Sequence, residues 1–108
     1  MNRAFRFTLA ALSCLALTAQ AADLAAGKAK SEQVCASCHL ADGNSTNPQY
    51  PILAGQHPDY LRKALRDYQS GARSNAIMAD QAKALSKAEI DNLSAWFASQ
   101  PSKLNMAR

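Results

Sequence analysis

Histidine and cysteine are scarce in this chain of 108 residues, which holds two of the first and three of the second. A structural zinc site wants four such ligands at regular spacing, and beyond a single cluster the sequence offers only His57. Basic runs are missing too. The 12 Lys and Arg are dispersed among 8 Asp and Glu, so the formal charge of +4 marks out no nucleic-acid footprint. Strand-like alternation, internal repeats and low-complexity tracts are also absent from the sequence. The single long apolar run, residues 7–19, is too short to span a bilayer as a helix. Arg3 and Arg6 precede that run, and Ala19-Gln20-Ala21 ends it, the layout of a secretory signal peptide cut after Ala21. Residues 1–21 are therefore expected to be a leader, with 22–108 a single exported domain. Ala11-Leu12-Ser13 fits poorly as the lead-in to a lipoprotein Cys14, so this thiol is expected to leave with the leader. A domain this small buries a modest core, and a large apolar cofactor at its centre would supply much of what it needs.

What is present is concentrated at Cys35-Ala36-Ser37-Cys38-His39. Two thiols two residues apart, followed at once by an imidazole, form the C-x-x-C-H signature of covalent c-type haem attachment. On one helical turn the thiols can reach two vinyl groups along one porphyrin edge, and the histidine comes beneath the ring as the proximal iron ligand. Three plainer readings compete. A thioredoxin-like pair needs a preceding strand, zinc needs more ligands, and a simple disulfide is open to any pair of exported thiols. The adjacent His39 and the leader together favour haem.

Around this motif the chain reads as helices joined by irregular segments. Residues 22–38 are rich in helix formers, with Leu24, Gly27, Ser31, Val34 and Cys38 on one face. Gly27 on that face either admits a second helix at close range or marks a frayed start. Residues 40–57, punctuated by Gly43, Pro48, Pro51 and Gly55, form a long functional loop, with Tyr50–Gly55 placed to line the proximal side of a haem. Pro58 opens a helix with Tyr60, Leu61, Ala64, Leu65 and Tyr68 along one stripe, and Gly71 closes it. Residues 71–85 read as a second loop. Ser86-Lys87-Ala88-Glu89 is a capping box for a final helix with Ile90, Leu93, Trp96 and Phe97 inward, ended by Pro101.

The sixth iron position decides the function. Its candidates are Met78, Met106, His57 or none. Met78 is favoured, because its segment lies one helix beyond His39 and carries little else that ligates iron. Met106 sits in a tail prone to fray, and His57 can equally cap a helix or face solvent. A His39–Met78 pair implies a comparatively high potential and an iron closed to small molecules, hence electron transfer rather than chemistry at the metal.

Taken in order, Cys35–His39, Ala41-Asp42-Gly43-Asn44-Ser45, Pro51-Ile52-Leu53-Ala54-Gly55-Gln56, Gly71-Ala72-Arg73 and Met78 resemble class I c-type cytochromes. The likeness is to the bacterial di-haem subgroup, and it covers essentially all of residues 22–108. It implies the all-α cytochrome c fold, about three to four helices around one covalent haem c, with the Gly27 helix crossing the Leu93–Phe97 helix. It also implies that the Pro51 carbonyl accepts from the His39 ring, and that Arg73 stands near the haem propionates unless it is simply solvated. Two departures stand out: only one C-x-x-C-H, which implies a monohaem relative, and Leu40 where a glycine is common. The expected function is a periplasmic, monomeric electron carrier, not an enzyme, with no membrane span in its mature chain. Its partners would be a membrane oxidoreductase or terminal oxidase and periplasmic reductases. An electron-relay subunit of a dehydrogenase or oxidase is the alternative, followed by a haem-based ligand sensor.

Overall fold

Asp23 starts the first helix, its carboxylate accepting from the Ala26 amide at 3.0 Å. Helix α1 (Leu24–Val34) buries Gly27 and Ser31, while Leu24 is 47% exposed and does not share the inward face its spacing predicts. The coordinates are a computed structural model describing residues 11, 13 and 21–104; the leader with Cys14, and Met106, lie outside the described residues. The single helix expected over 22–38 divides at Cys35, which closes α1 and opens α2 (Ala36–His39).

Helix α3 (Pro58–Ser70) has Pro58 in its first turn and Gly71 beyond its end in the left-handed region at φ 82°, both as expected. The 71–85 loop is corrected: it contains α4 (Ala76–Ala82), capped by Asn75. The Asn75 cap and three alanines favour helix here, and seven residues are too short a stretch for periodicity to reveal. The capping box is realised at α5 (Lys87–Ser99), where Ser86 Oγ accepts from the Glu89 amide at 3.1 Å and Glu89 accepts in return from the Ser86 amide at 3.2 Å. Among the described residues there are five helices, more than the three to four expected, and no strand.

Helix α5 is the common partner. It packs on α1 across Gly27, where a Cβ would collide with the Asn92 carbonyl oxygen and sit 2.9 Å from the Trp96 Cβ, so the glycine is there for close approach. Ion pairs Lys30–Glu89 and Arg62–Asp91, the latter at 2.8 Å, join α1 and α3 to α5. On its other face Leu93 and Phe97 form the buried core with Leu61 of α3. The 40–57 loop is fastened to this frame from several directions. The Gly55 amide donates to the Phe97 carbonyl at 2.9 Å. Buried Asn44 donates from Nδ2 to the Pro101 carbonyl at 2.9 Å and accepts at Oδ1 from the Lys103 amide at 2.8 Å. The Ala41 carbonyl accepts from both Ser31 Oγ of α1 and Trp96 Nε1 of α5, each at 2.8 Å. One oxygen thus ties both crossing helices to the chain just past His39.

Candidate haem site

The frame leaves a cavity of about 310 Å³ bounded by α2, the 49–53 loop, α3 and α4. Its wall carries Cys35, Cys38 and His39 from α2, Pro51 and Ile52 from the loop, Leu61 and Tyr68 from α3, and Met78 from α4. The residues singled out in the sequence therefore meet in one place, Arg73 included. His57 does not. It is exposed at the start of α3, makes no side-chain cap bond and is not part of the cavity wall.

His39 is 6% exposed, and its Nδ1 lies 2.8 Å from the Pro51 carbonyl oxygen. A carbonyl can only accept, so Nδ1 carries the proton and Nε2 keeps the lone pair. The Tyr50 ring stands edge-on to the imidazole, centroids 6.3 Å apart at 61°. Between His39 and the Ala41 clamp, Leu40 adopts φ 64°, ψ 157°, a region populated essentially by glycine. The sequence departure at this position is thus a strained residue at the end of the motif.

The two thiols are free and half-buried. Burial pushes the Cys35 thiol up to about 11, against the pull of Lys30. A thioredoxin-like pair follows a strand, whereas among the described residues the element before Cys35 is helix α1, which argues against that reading. Among the described residues no cluster of three or more His, Cys, Asp or Glu is arranged to hold a metal ion.

Arg73 donates to the Tyr60 hydroxyl at 3.2 Å, and its guanidinium lies 5.1 Å from the Tyr68 ring centre. The Tyr60 hydroxyl holds its ionisation above the ordinary arginine value, opposed by partial burial. The side chain thus reaches the cavity wall while Arg73 itself stays exposed to solvent. Tyr68 and Asn75 complete this side. Tyr68 belongs to the packing stripe of the sequence, whereas Asn75 carries a signal of its own, an Asn immediately before an alanine-rich heptad, which marks a helix cap.

An all-helical domain with a C-x-x-C-H turn on one wall of a cavity and a methionine on another has the architecture of a c-type cytochrome. The chain belongs to the cytochrome c family, whose pattern it matches over residues 24–101. It is 40% identical over 107 residues to cytochrome c4 of Pseudomonas aeruginosa, covering 99% of this chain and 53% of that protein. It is 41% identical over 93 residues to a thiosulfate dehydrogenase electron acceptor of Stutzerimonas stutzeri (strain A1501), covering 81% of this chain and 43% of that one. The crystal structure of reduced recombinant cytochrome c4 from Pseudomonas stutzeri superposes with a TM-score of 0.72 at 35% identity, over 78% of this chain and 48% of that chain. The chain thus spans about half the length of these relatives. As a cytochrome c domain it is built for covalent haem c. No helix among the described residues is long and apolar enough to cross a membrane.

The residues present fit that cofactor. The cavity is walled mainly by apolar side chains, both thiols reach it from one helical turn, and the imidazole beside them is held in the tautomer that ligates metals.

Proposed function

We propose that this chain is a periplasmic one-electron carrier, its haem joined to Cys35 and Cys38 by thioethers and ligated by His39 and Met78. The observation that carries the reading is that His39 and Met78 line one cavity together with both thiols, whereas His57 stays outside it. When bound, haem c supplies a reversible ferric–ferrous couple. The chain's own residues set how that couple behaves. The Pro51 carbonyl keeps the proton on His39 Nδ1 and so reserves Nε2 for the iron, raising its basicity as a ligand. Met78 would hold the iron together with His39, its thioether favouring the ferrous state and leaving small molecules no free place on the metal. Arg73, with Tyr60, offers positive charge to the haem propionates. The reading is a carrier and not an enzyme, because a chain that supplies both iron ligands itself leaves the couple to exchange electrons.

In this reading residues 1–21 direct export, the mature domain starts at Ala22, and the carrier acts as a monomer. It docks transiently with redox proteins: a membrane oxidoreductase or terminal oxidase on one side, periplasmic reductases on the other. The similarity to a thiosulfate dehydrogenase electron acceptor favours a second role for the same site, relaying electrons from one dehydrogenase. A complex with such an enzyme that survives purification would select the relay over the free carrier.

The test is an optical redox titration of the exported holoprotein, with carbon monoxide added to the reduced form. The expected result is a high potential, a methionine–iron charge-transfer band when oxidised, and no carbon monoxide adduct. Ready carbon monoxide binding would overturn Met78 as the sixth ligand and bring the ligand-sensor reading forward.

A further inference from the structure

Met78 lies on α4, and a helix of seven residues has little stability of its own. Whatever fixes that helix fixes the methionine. Its C-terminal end is well held: the Gln69 amide of α3 donates to the Ala82 carbonyl at 2.9 Å and to the Leu85 carbonyl at 2.8 Å, and Ala82 is fully buried. The N-terminal end is entered from a segment tied to α3 at Arg73, whose amide donates to the Asp67 carbonyl at 3.1 Å and whose side chain donates to the Tyr60 hydroxyl at 3.2 Å, but neither bond reaches α4 itself. Ile77 is 58% exposed, and the approach from Gly71 to Ser74 is exposed throughout. What holds this end is the Asn75 side chain, whose Oδ1 accepts at 3.0 Å from one amide, that of Met78 itself. Asn75 also lines the cavity beside Met78.

We propose that Asn75 is the positioning residue for Met78, and that this one bond sets how firmly the thioether holds the sixth position. The inference rests on the reading of Met78 as an iron ligand. With the bond in place, the Met78 backbone is fixed in the first turn of α4 and its side chain is presented from a set origin. Without it, that turn frays while Gln69 still holds the far end, and the thioether withdraws for part of the time. A small neutral ligand then competes more successfully for the vacated position.

The experiment is imidazole titration of the oxidised holoprotein, followed by the methionine–iron band, for the native chain, Asn75→Ala, Asn75→Ser and Met78→Ala. Asn75→Ala is expected to bind imidazole about fivefold more tightly and to show a weaker band, the equilibrium equivalent of one lost N-cap bond. Asn75→Ser keeps an acceptor of the right kind for a cap and is expected to restore native behaviour. Amide exchange at Met78 should accelerate in the alanine variant and not in the serine one. A cap that merely stabilises the fold would lower the unfolding temperature of Asn75→Ala without changing imidazole affinity, and that result overturns the proposal. Equal opening in the serine and alanine variants also overturns it, because the acceptor would not be the cause. Met78→Ala is the reference and should open the iron far more than either. If it leaves imidazole affinity unchanged, the ligand reading itself fails and the role of Asn75 falls with it; if only Asn75→Ala is silent, the ligand reading stands.

Discussion

The α1–α5 crossing and the cavity side are built on different logics. At the crossing, every element of fit is supplied by the chain. Gly27 removes its side chain so that Asn92 and Trp96 can close on it, Lys30 pairs with Glu89, and one carbonyl collects Ser31 and Trp96. Across the molecule, α3 and α4 contribute only Leu61 and Ala82 to the buried apolar set, and their other inward groups face a cavity of about 310 Å³. One region is complementary to itself, and the other is complementary to something the chain does not encode. A small domain can afford so open a second half because the cofactor, once joined covalently, is in effect part of its core.

The largest break in that comparison comes from Cys35→Ser combined with Cys38→Ser. Covalent haem should disappear, read as loss of haem absorbance on a denaturing gel, and thermal unfolding followed by circular dichroism should lose its cooperativity. A compact, cooperatively melting apo-protein would show that the crossing alone sustains the fold. Gly27→Ala attacks the other region. The added methyl meets backbone at the Asn92 carbonyl, so the helices must separate, and denaturant unfolding should register a loss of about 3 kcal/mol. Its haem spectrum should stay close to native, since the cavity side is untouched.

Leu40→Gly tests the seam between the two regions. The native residue occupies a backbone region that only glycine adopts without strain, so the variant should gain about 1 kcal/mol after the entropy cost of glycine is subtracted. A loss of stability there would mean that the Leu40 side chain contributes more than its strain takes away. The smallest effect is on pH dependence. Lys30, followed by the Ser86 amide, holds the Glu89 carboxyl below its ordinary 4.5. A depressed folded value means the stabilisation is complete above 4.5 and is lost as the pH falls through the folded value. Glu89→Gln keeps a capping-box side chain but ends the ion pair, so the acid limb of the stability curve should flatten.

The same division decides what could be read from the sequence. Features set by local chemistry were legible: Pro58 and Gly71 at the ends of α3, the Ser86–Glu89 box, Gly27 as a contact point, and the motif at Cys35–His39 with its favoured partner Met78 in the same cavity wall. Features set by packing against the rest of the molecule were not. Helix α4 was missed because seven residues hold less than two full apolar repeats, and the break at Cys35 because no residue there disfavours helix. Leu24 fits the α1 periodicity and yet is half exposed, since α5 covers only the turns around Gly27 and Ser31. The clamp on Ala41 was invisible for a simpler reason: its acceptor is a backbone oxygen, and sequence says nothing of where one points.

The Gln69 amide carries a consequence for motion. Because one side chain spans two carbonyls on either side of the α4 exit, that helix cannot peel from α3 without releasing both at once. The methionine segment and α3 are therefore expected to open as one cooperative unit, with matching exchange protection at their C-terminal ends. A segment that moves only with its neighbour has little freedom to relax when the charge at the centre of the domain changes. Together with the Asn75 cap at the other end of α4, a glutamine that never touches the cofactor cavity thus limits how far the methionine segment can relax.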